Sequence, residues 1–493
     1  MKKRASQKSA ATSKKQAPPK KQAAKKQTAK KQGAKKKSPK KKAVKKKSTP
    51  RKATVKQSPP KAAAVKKLVK QPPEDQGGAD QHALSGKSTV FASSKTNEWQ
   101  PFPLLRIIED QEIRQEMAAR KVELDAQYER AEVAYDLLSK EIELQKLRRE
   151  NKDEKSQGEQ RKNYGDVTGI AICFRTKYRQ VVSPLQYVLD VNVSRKKDEG
   201  QLKASNFDPL PPAINGTPIK VREGSFQFAA SSDVGRLAAG DGPAHPVAKD
   251  SPILGGQPIA DKNHERNFGT LGIVFEMGGK NFGLSNRHVT KSKTVRIISS
   301  DFKSQDLGPV EEKVSDHTSN GRYVDASYFS LKLLEAQGVL SIPYQIKDLN
   351  DGNAPLDVVF ATEEVQNSDR YFPIYKYGAK TGALLNGKIT AIKTQVNIGG
   401  PKKGVIRVES NTTRFLEGGD SGSVLLIKAT VGSKLSWVVI GIVFGQLMDK
   451  VGDNFVPNDH VAFGCHISHV LKMLGILDAL PAEKLTATWT PVN

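Results

Sequence analysis

A serine on a glycine-flanked turn is the residue in this sequence best suited to nucleophilic chemistry. It is Ser421, in segment 417–423 with the sequence EGGDSGS, directly before the apolar run 424–427. A glycine-flanked turn that enters a buried strand exposes the serine hydroxyl. It also lets the backbone N–H groups of Gly419 and Ser421 converge on one point, where they can stabilise the charge on a substrate carbonyl oxygen. Segment 417–423 therefore predicts a nucleophile with an oxyanion hole, although GDSG also occurs in ordinary turns.

A serine nucleophile needs a base, and the base needs an orienting carboxylate. His288 follows a short apolar strand in segment 282–290, FGLSNRHVT, and Asp325 begins the apolar segment 323–331, YVDASYFSL. A carboxylate in an apolar strand is costly to bury unless it is paired, which favours the imidazole as its partner. In this prediction Ser421 attacks, His288 carries the proton, and Asp325 fixes the imidazole tautomer and stabilises its cation.

The order His288, Asp325, Ser421, with separations of 37 and 96 residues, resembles the chymotrypsin-like serine peptidases. Further segments are similar to a subgroup of trypsin-like peptidases found in bacteria and in the narrow-leaf proteins of plants, where a short module precedes the protease. These segments are 210–221 at the end of the module and 252–256, 269–272, 284–286, 376–382 and 387–389 in the protease. The resemblance spans roughly 165–480. It implies two six-stranded antiparallel β-barrels, a protein or peptide substrate and no cofactor.

The specificity pocket is predicted from the same resemblance. In chymotrypsin-like enzymes the sixth residue before the nucleophile lines the base of the pocket, and here it is Phe415. The strand 440–446 is expected to supply the pocket wall through Phe444, Gly445 and Gln446. Because the counted base carries no acid, cleavage after Lys or Arg is not expected, unless its loop brings in Glu417. Alternatively, Phe415 packs inside a barrel.

Cysteine and histidine cluster in the segment 465–469, CHISH, which requires a test for a zinc site. A structural zinc takes four ligands in paired spacing, and only His460 and the distant Cys173 could complete the set. The sequence therefore predicts no metal. Two cysteines cannot form a disulfide framework, which indicates a reducing compartment.

Short β-rich runs, punctuated by Gly and Pro, fill the chain from residue 165 onward, with one helix predicted only at 468–477. This pattern predicts a mostly β protein built from barrels. The predicted parts are a small module at 165–230 and a peptidase domain at 255–480. A loop rich in Ala, Gly, Ser and Pro separates them near 229–258.

A charged segment at 107–160 is predicted to be helical. Its apolar residues step by 4-3-4-3-4, the spacing that keeps one seam toward a partner. The seam residues are Leu124, Tyr128, Ala131, Tyr135, Leu138 and Ile142. Two alternatives stay open: a homo-oligomeric coiled coil formed through 107–150, or a solvated helix packed on the protein's own body.

The net charge of +28 lies in the N-terminal seventh of the chain. Residues 1–70 contain 28 Lys and Arg and no Asp or Glu, and the other 52 basic residues balance the 52 acidic ones. Residues 1–75 are therefore predicted to be a disordered tail, followed by a linker at 76–106. The tail is similar to the lysine-rich tails of linker histones and predicts binding to nucleic acid or another polyanion. No membrane span is evident, and the lysine blocks favour the nucleus, with the cytoplasm as the alternative.

Together these features predict an intracellular serine endopeptidase that its basic tail tethers to nucleic acid or another polyanion. One alternative is a chromatin- or RNA-binding scaffold with an inactive protease fold. Another is a protease that acts chiefly in cis and frees its own tail. The intact set His288, Asp325 and Ser421 favours an active enzyme.

Overall fold

The structure is a computed structural model that describes residues 106–150, 163–177, 180–205, 207–229, 252–263, 268–298, 304–349, 356–410 and 414–492. The chain divides into two units, 1–96 and 97–493, and all described residues belong to the second. The predicted tail and nearly all of the predicted linker lie outside the described residues. Within the described ranges, no helix combines the length and apolar character needed to cross a membrane.

The N-terminal part of the described chain begins with helices and continues with short strands. Its elements are β1 (Arg106–Ile107), α1 (Asp110–Ala119), α2 (Lys121–Glu150), β2 (Val167–Phe174), β3 (Thr176–Lys177), β4 (Gln180–Ser183), β5 (Tyr187–Val193), α3 (Glu199–Ala204), β6 (Ala213–Ile214), β7 (Thr217–Glu223) and β8 (Ser225–Phe228).

The next elements form a first curled antiparallel sheet and its surroundings. They are β9 (Ile253–Gly255), β10 (Pro258–Asp261), β11 (Phe268–Thr270), β12 (Ile273–Met277), β13 (Lys280–Ser285), β14 (Thr294–Ile298), β15 (Ser304–His317), β16 (Tyr323–Ser330), α4 (Lys332–Glu335) and β17 (Ser341–Ile346). The strand order β11-β10-β14-β15-β16-β13-β12 brings the sheet back to its own start, because β11 and β12 are consecutive parts of one segment. Gly272 ends the interruption between them, where a Cβ would lie 2.3 Å from the carbonyl oxygen of Gly422.

The C-terminal elements form a second, closed ring of strands. They are β18 (Asp357–Ala361), a 3₁₀ turn (Asn367–Asp369), β19 (Pro373–Tyr377), β20 (Leu384–Asn397), β21 (Pro401–Glu409), β22 (Val424–Val431), β23 (Lys434–Val451), β24 (Asn454–His466), α5 (Ile467–Met473), two 3₁₀ turns (Leu477–Ala479 and Ala482–Lys484), β25 (Leu485–Thr486) and β26 (Thr490–Pro491). The order β19-β22-β23-β24-β21-β20 closes because β20 pairs back with β19. The prediction of a mostly β protein is confirmed, and its sheets are curled, whereas the short helices α3 and α4 were not predicted.

The predicted module shares a sheet with the second ring. β2 pairs with β20, and β5, β7 and β6 continue outward from β2. A buried carboxylate, Asp190 on β5, ties the two parts together by accepting hydrogen bonds from Arg407 on β21 at 2.8 Å and from Arg222 on β7 at 2.6 Å. Removing one partner from such a pair would leave an uncompensated buried charge, so this contact holds the module on the ring.

The helical segment packs on the protein's own body through the predicted seam. Leu124, Ala131, Tyr135 and Leu138 are buried in one apolar cluster with strands β2 and β5. Lys393 on β20 adds an ion pair with Asp136 of α2 at 3.3 Å. Of the two alternatives left open by the sequence, the structure therefore shows the second, and the seam is not free to form a coiled coil.

Substitutions at two adjacent leucines of α2 test this packing. Leu138 is 1% exposed, whereas Leu137 is 54% exposed. Leu138→Ala is expected to lower the free energy of unfolding by about 2–5 kcal/mol, since it leaves a cavity in a packed core. Leu137→Ala is the matched control and should change it by less than about 0.5 kcal/mol. Urea unfolding of the full chain measures both, and equal losses would contradict the packing described here.

Candidate active site

Ser421 lies in the turn that leads into β22, pressed against the start of the first sheet. Its backbone carbonyl accepts a hydrogen bond from the N–H of Thr270 at 2.7 Å, and the Thr270 hydroxyl donates to the carbonyl of Gly419 at 3.0 Å. Gly419 has a φ of +117°, and a Cβ there would lie 2.4 Å from the ring of Phe268, so the turn needs glycine at this position. These contacts hold the turn that carries Ser421 against β11 of the first sheet.

The first sheet brings His288 and Asp325 together. His288 follows β13 and Asp325 lies on β16, and these strands are neighbours. The distance between Nδ1 of His288 and Oδ2 of Asp325 is 2.6 Å, and Oδ1 also accepts the backbone N–H of His288 at 3.3 Å. Because an ionised carboxylate only accepts, this contact places a proton on Nδ1, and in the neutral ring Nε2 then keeps its lone pair. The predicted His–Asp pair is therefore present, with the carboxylate fully buried.

Ser421 and His288 are not joined by a hydrogen bond in the described part of the chain. The hydroxyl of Ser421 donates to the carbonyl of Phe444 at 3.3 Å instead. Nε2 of His288 is buried and has no hydrogen-bond partner among the residues that the structure describes. The Phe228 ring stacks on the imidazole, with ring centroids 4.4 Å apart. The segment 228–229 thus contacts both residues, since Phe228 covers the imidazole of His288 and the carbonyl of Ala229 accepts the N–H of Ser421 at 3.3 Å.

The two predicted oxyanion donors converge on one oxygen. The N–H groups of Gly419 and Ser421 donate to the backbone carbonyl of Ala229 at 2.6 and 3.3 Å. The N–H of Ala229 in turn donates to the carbonyl of Phe444 at 3.1 Å. The donors therefore have the geometry for holding a peptide oxygen, and a segment of the same chain supplies that oxygen. The sequence did not predict this occupant.

The predicted pocket residues separate into two groups. Phe444, Gly445 and Gln446 lie on β23 along the edge where β8 pairs antiparallel, with Phe228 opposite Gly445. Phe415 is fully buried in the main apolar core, as in the alternative considered for it. Glu417 does not supply an acid to a pocket, since its carboxylate is paired with Arg414 at 2.8 Å.

A buried ion pair that the sequence did not reveal braces the nucleophile segment. Nζ of Lys376 on β19 lies 2.8 Å from Oδ2 of Asp420, and both side chains are fully buried. Asp420 also accepts backbone N–H groups from Glu417, Lys380 and Thr381 at 3.0, 3.0 and 3.1 Å. A lysine inside the otherwise apolar strand PIYKY, together with an aspartate beside the nucleophile, was the signal available in the sequence.

Removing the lysine of this pair should damage the site. Lys376→Met leaves the Asp420 carboxylate buried without its cation, and we expect the free energy of unfolding to fall by about 3–5 kcal/mol. Adding Asp420→Asn to the same chain should restore part of that loss, because the uncompensated charge is gone. Lys472→Met, at an exposed position of α5, is the control. Denaturant unfolding measures all three, and an unchanged Lys376→Met midpoint would contradict the brace.

The segment 465–469 does not gather metal ligands. Sγ of Cys465 accepts the backbone N–H of Asp325 at 3.3 Å, and Nε2 of His469 lies 2.7 Å from Oε1 of Glu364. Across the described ranges, no group of three or more Cys, His, Asp and Glu side chains is arranged to hold a metal ion. These side chains instead support the strand beneath Asp325 and the start of α5.

His466 should make the fold sensitive to mild acid. Burial, with the nearby positive charge of Arg322, lowers the pKa of His466 from 6.5 to about 3. The folded state therefore favours the neutral ring, and its contribution to stability is complete above pH 6.5 and is lost as the pH falls toward 3. Between pH 7 and pH 5 we expect the free energy of unfolding to fall by about 2 kcal/mol because of this residue. Denaturant unfolding at both pH values should show this loss, and His466→Gln should remove it.

Comparisons with known proteins give similarity to solved structures only. No protein family description and no curated protein matches the chain. A glutamic acid specific serine protease that uses a histidine triad in substrate binding is 22% identical, with a TM-score of 0.31 over 45% of this chain and 98% of that chain. Thermobifida fusca protease A is 20% identical, with a TM-score of 0.30 over 46% of this chain and 97% of that chain. An alpha-lytic protease homologue, N4, is 18% identical, with a TM-score of 0.31 over 46% of this chain and 98% of that chain. Each match therefore covers less than half of this chain.

Proposed function

We propose that this chain is a serine endopeptidase in which Ser421 is the nucleophile, His288 the general base and Asp325 its orienting carboxylate. The observation that carries the proposal is the convergence of two backbone N–H groups, from Gly419 and Ser421, on one peptide carbonyl beside a buried His–Asp pair. Donors placed in this way stabilise the oxyanion of acyl transfer and contribute about 2.7–4 kcal/mol each in enzymes that use them.

In the proposed reaction the Ser421 hydroxyl leaves the carbonyl of Phe444 and gives its proton to Nε2 of His288 as it attacks. The peptide carbonyl becomes tetrahedral, and its oxygen is held by the two N–H donors. His288 then protonates the leaving amine, and water hydrolyses the acyl-enzyme by the same steps. Asp325 keeps the proton on Nδ1 so that Nε2 can accept. No step uses a metal or a cofactor.

We assign the two curled sheets to the two barrels of a chymotrypsin-like fold, with the peptidase domain at 255–480. The closed pairing of β19 with β20 and the return of the first sheet to its own start support this assignment. Such a fold would act at the junction of the two sheets. His288 and Asp325 belong to the first sheet, and Ser421 precedes β22 of the second.

The tail part of the proposal comes from the sequence. Residues 1–70 carry 28 positive charges and no negative ones, which suits a tether to nucleic acid or another polyanion. A nuclear location is part of this proposal, with the cytoplasm as the alternative. The proposed protein is thus a peptidase whose position is set by a separate part of the chain.

A second candidate is an inactive protease fold that serves as a recognition surface on chromatin or RNA. The observation that favours it is the unformed bond between Ser421 and His288, with the hydroxyl directed at Phe444. An inactive fold would keep the tail's binding but would never form an acyl-enzyme. Chemistry at Ser421 therefore separates the two candidates.

Labelling with a fluorophosphonate probe tests the proposed function. Ser421 is fully buried, so we expect slow labelling of the intact chain. Labelling should be faster in Phe228→Ala, which removes the ring stacked on His288. Ser421→Ala in either background is the control and should abolish the signal. No labelling of the Phe228→Ala form at Ser421 would reject the peptidase and support the inactive fold.

A further inference from the structure

A strand from the chain's own N-terminal part occupies the candidate active site. β8 pairs antiparallel with β23, with Gln227 opposite Gln446 and Phe228 opposite Gly445. The next residue, Ala229, donates its N–H to Phe444 and offers its carbonyl to both oxyanion donors. An extended backbone along one strand edge, with a single carbonyl in the hole, is how a peptide would present a bond for attack. The segment 225–229 therefore lies as an acyl donor would.

The side chains of this segment fill the cleft in a defined way. The methyl group of Ala229 is fully buried, and the Phe228 ring covers the imidazole of His288. Phe226 packs edge-on against Phe463, with centroids 5.2 Å apart. These contacts of Phe226, Phe228 and Ala229 fix the register, so the carbonyl of Ala229, and not a neighbouring one, reaches the two N–H groups.

The segment is held in this register by the fold that precedes it. One residue, Gly224, separates β8 from β7, and its N–H donates to the carbonyl of Val193 at 2.9 Å. Its own carbonyl accepts the Thr168 hydroxyl at 2.7 Å. β7 in turn pairs with β5 in the sheet that continues the second ring. A donor positioned in this way reaches the nucleophile without a bimolecular encounter, which accelerates reaction strongly.

We propose that the chain cleaves itself in cis on the carboxyl side of Ala229, an inference that rests on the proposed function. Ser421 Oγ bonds to the carbonyl carbon of Ala229, its proton passes to His288, and the bond to the nitrogen of residue 230 breaks as His288 protonates that nitrogen. Water, the co-reactant, then cleaves the ester. The products are a carboxylate at Ala229, a new amino terminus and free Ser421.

Cleavage at this bond would not release the N-terminal part. The fragment that ends at Ala229 keeps the pairing of β2 with β20 and the buried contact between Asp190 and Arg407. Its last strand also keeps its pairing with β23, which leaves the product in the cleft. The expected result is a two-chain molecule that retains its tail, in contrast to the self-release of the tail considered from the sequence.

The bound segment also specifies the substrate class. The position before the cleaved bond holds a small side chain that is fully buried, and the position before that holds an aromatic ring on His288. We therefore infer that peptides cleaved in trans carry a small residue preceded by an aromatic one. This preference differs from cleavage after basic or acidic residues.

The direct test is the intact mass and amino-terminal sequence of the purified full chain. We expect two fragments, 1–229 and 230–493, that co-elute in size-exclusion chromatography. The rate of their formation should be independent of protein concentration. Ser421→Ala should remain a single chain. A cut at another bond, a rate proportional to concentration, or a cut that persists in Ser421→Ala would overturn the inference.

A matched pair of variants tests the register. Ala229→Trp should slow the cut by at least about 100-fold, since a large side chain displaces the carbonyl from the oxyanion donors. Ala204→Trp, the same change on the exposed face of α3, should leave it unchanged. Ala229→Trp could also slow the cut by destabilising the fold, which shows as easier unfolding in denaturant than for Ala204→Trp. Phe228→Ala is then the second test, and it too should slow cleavage after Ala229. An unslowed cut in both cleft variants would reject the proposed register.

The same preparations separate the two hypotheses. If fluorophosphonate labels Ser421 in Phe228→Ala but the wild-type chain is never cut after Ala229, the self-cleavage inference fails and the peptidase stands. If neither labelling nor cleavage occurs, the proposed function fails and the inference fails with it. A cut after Ala229 that requires Ser421 supports both.

Discussion

Asp325→Asn should reduce turnover of a peptide substrate by on the order of 10⁴. The carboxylate now accepts from Nδ1 of His288 at 2.6 Å, which leaves the Nε2 lone pair for the serine proton. An amide at this position can donate to the ring, and it then stabilises the tautomer that carries the proton on Nε2. The base would be present but blocked, so kcat falls while substrate binding is largely kept.

The measurement is kcat and KM on a chromogenic peptide that ends in Phe-Ala, with fold stability checked by denaturant. Asp316→Asn on β15 is the matched control, because Asp316 is exposed and lies one strand away. It should retain full turnover. A loss of less than about tenfold in Asp325→Asn would show that the His288–Asp325 pair is structural only.

DNA binding by the full chain should fall by on the order of 10⁵ between 50 and 200 mM salt. Each phosphate that a lysine neutralises releases a condensed counterion, and with about ten contacts the slope of log affinity against log salt is near −9. The remaining 423 residues carry equal numbers of basic and acidic groups, so they supply no comparable term.

The comparison is between the full chain and a chain that lacks residues 1–70, in fluorescence anisotropy with duplex DNA and with RNA of equal length. We expect the truncated chain to bind weakly, with a slope near zero. Proteins with scrambled tails of the same composition should bind like the full chain, since charge and not sequence is responsible. An unchanged slope after truncation would move the binding site to the folded part.

The pairing of His288 with Asp325 and the convergence of the Gly419 and Ser421 N–H groups could be predicted because the sequence patterns around these residues are local. Gly419 and Gly422 permit the turn at Ser421, and an aspartate in an apolar strand needs a partner such as His288. The sequence did not predict the hydrogen-bond partner of the Ser421 hydroxyl. Whether the serine hydroxyl faces the histidine or the carbonyl of Phe444 depends on what else lies in the cleft, which no local pattern describes.

The occupant of the cleft could not be read from the sequence for a physical reason. The segment 225–228, SFQF, is too short to show a reliable period, and its partner strand β23 lies far along the chain. A similar difficulty applies to α2, where the 4-3 spacing indicates that one face is buried but not whether the covering surface belongs to the same chain. Both answers depend on long-range packing.

The pairing of β8 with β23 sets a minimum concentration that any other ligand must exceed to bind the same edge of β23. A segment on a short flexible connection has an effective concentration on the order of millimolar, and one held beside its site by a paired strand, as β8 is, reaches at least that value. A free peptide must exceed that value, scaled by its relative affinity, before it displaces the segment. Peptides at micromolar levels would rarely enter, whereas a protein concentrated on a polyanion that also bound the tail, as proposed, would compete far better. Occupancy of the cleft would then depend on crowding at one location more than on total abundance in the cell.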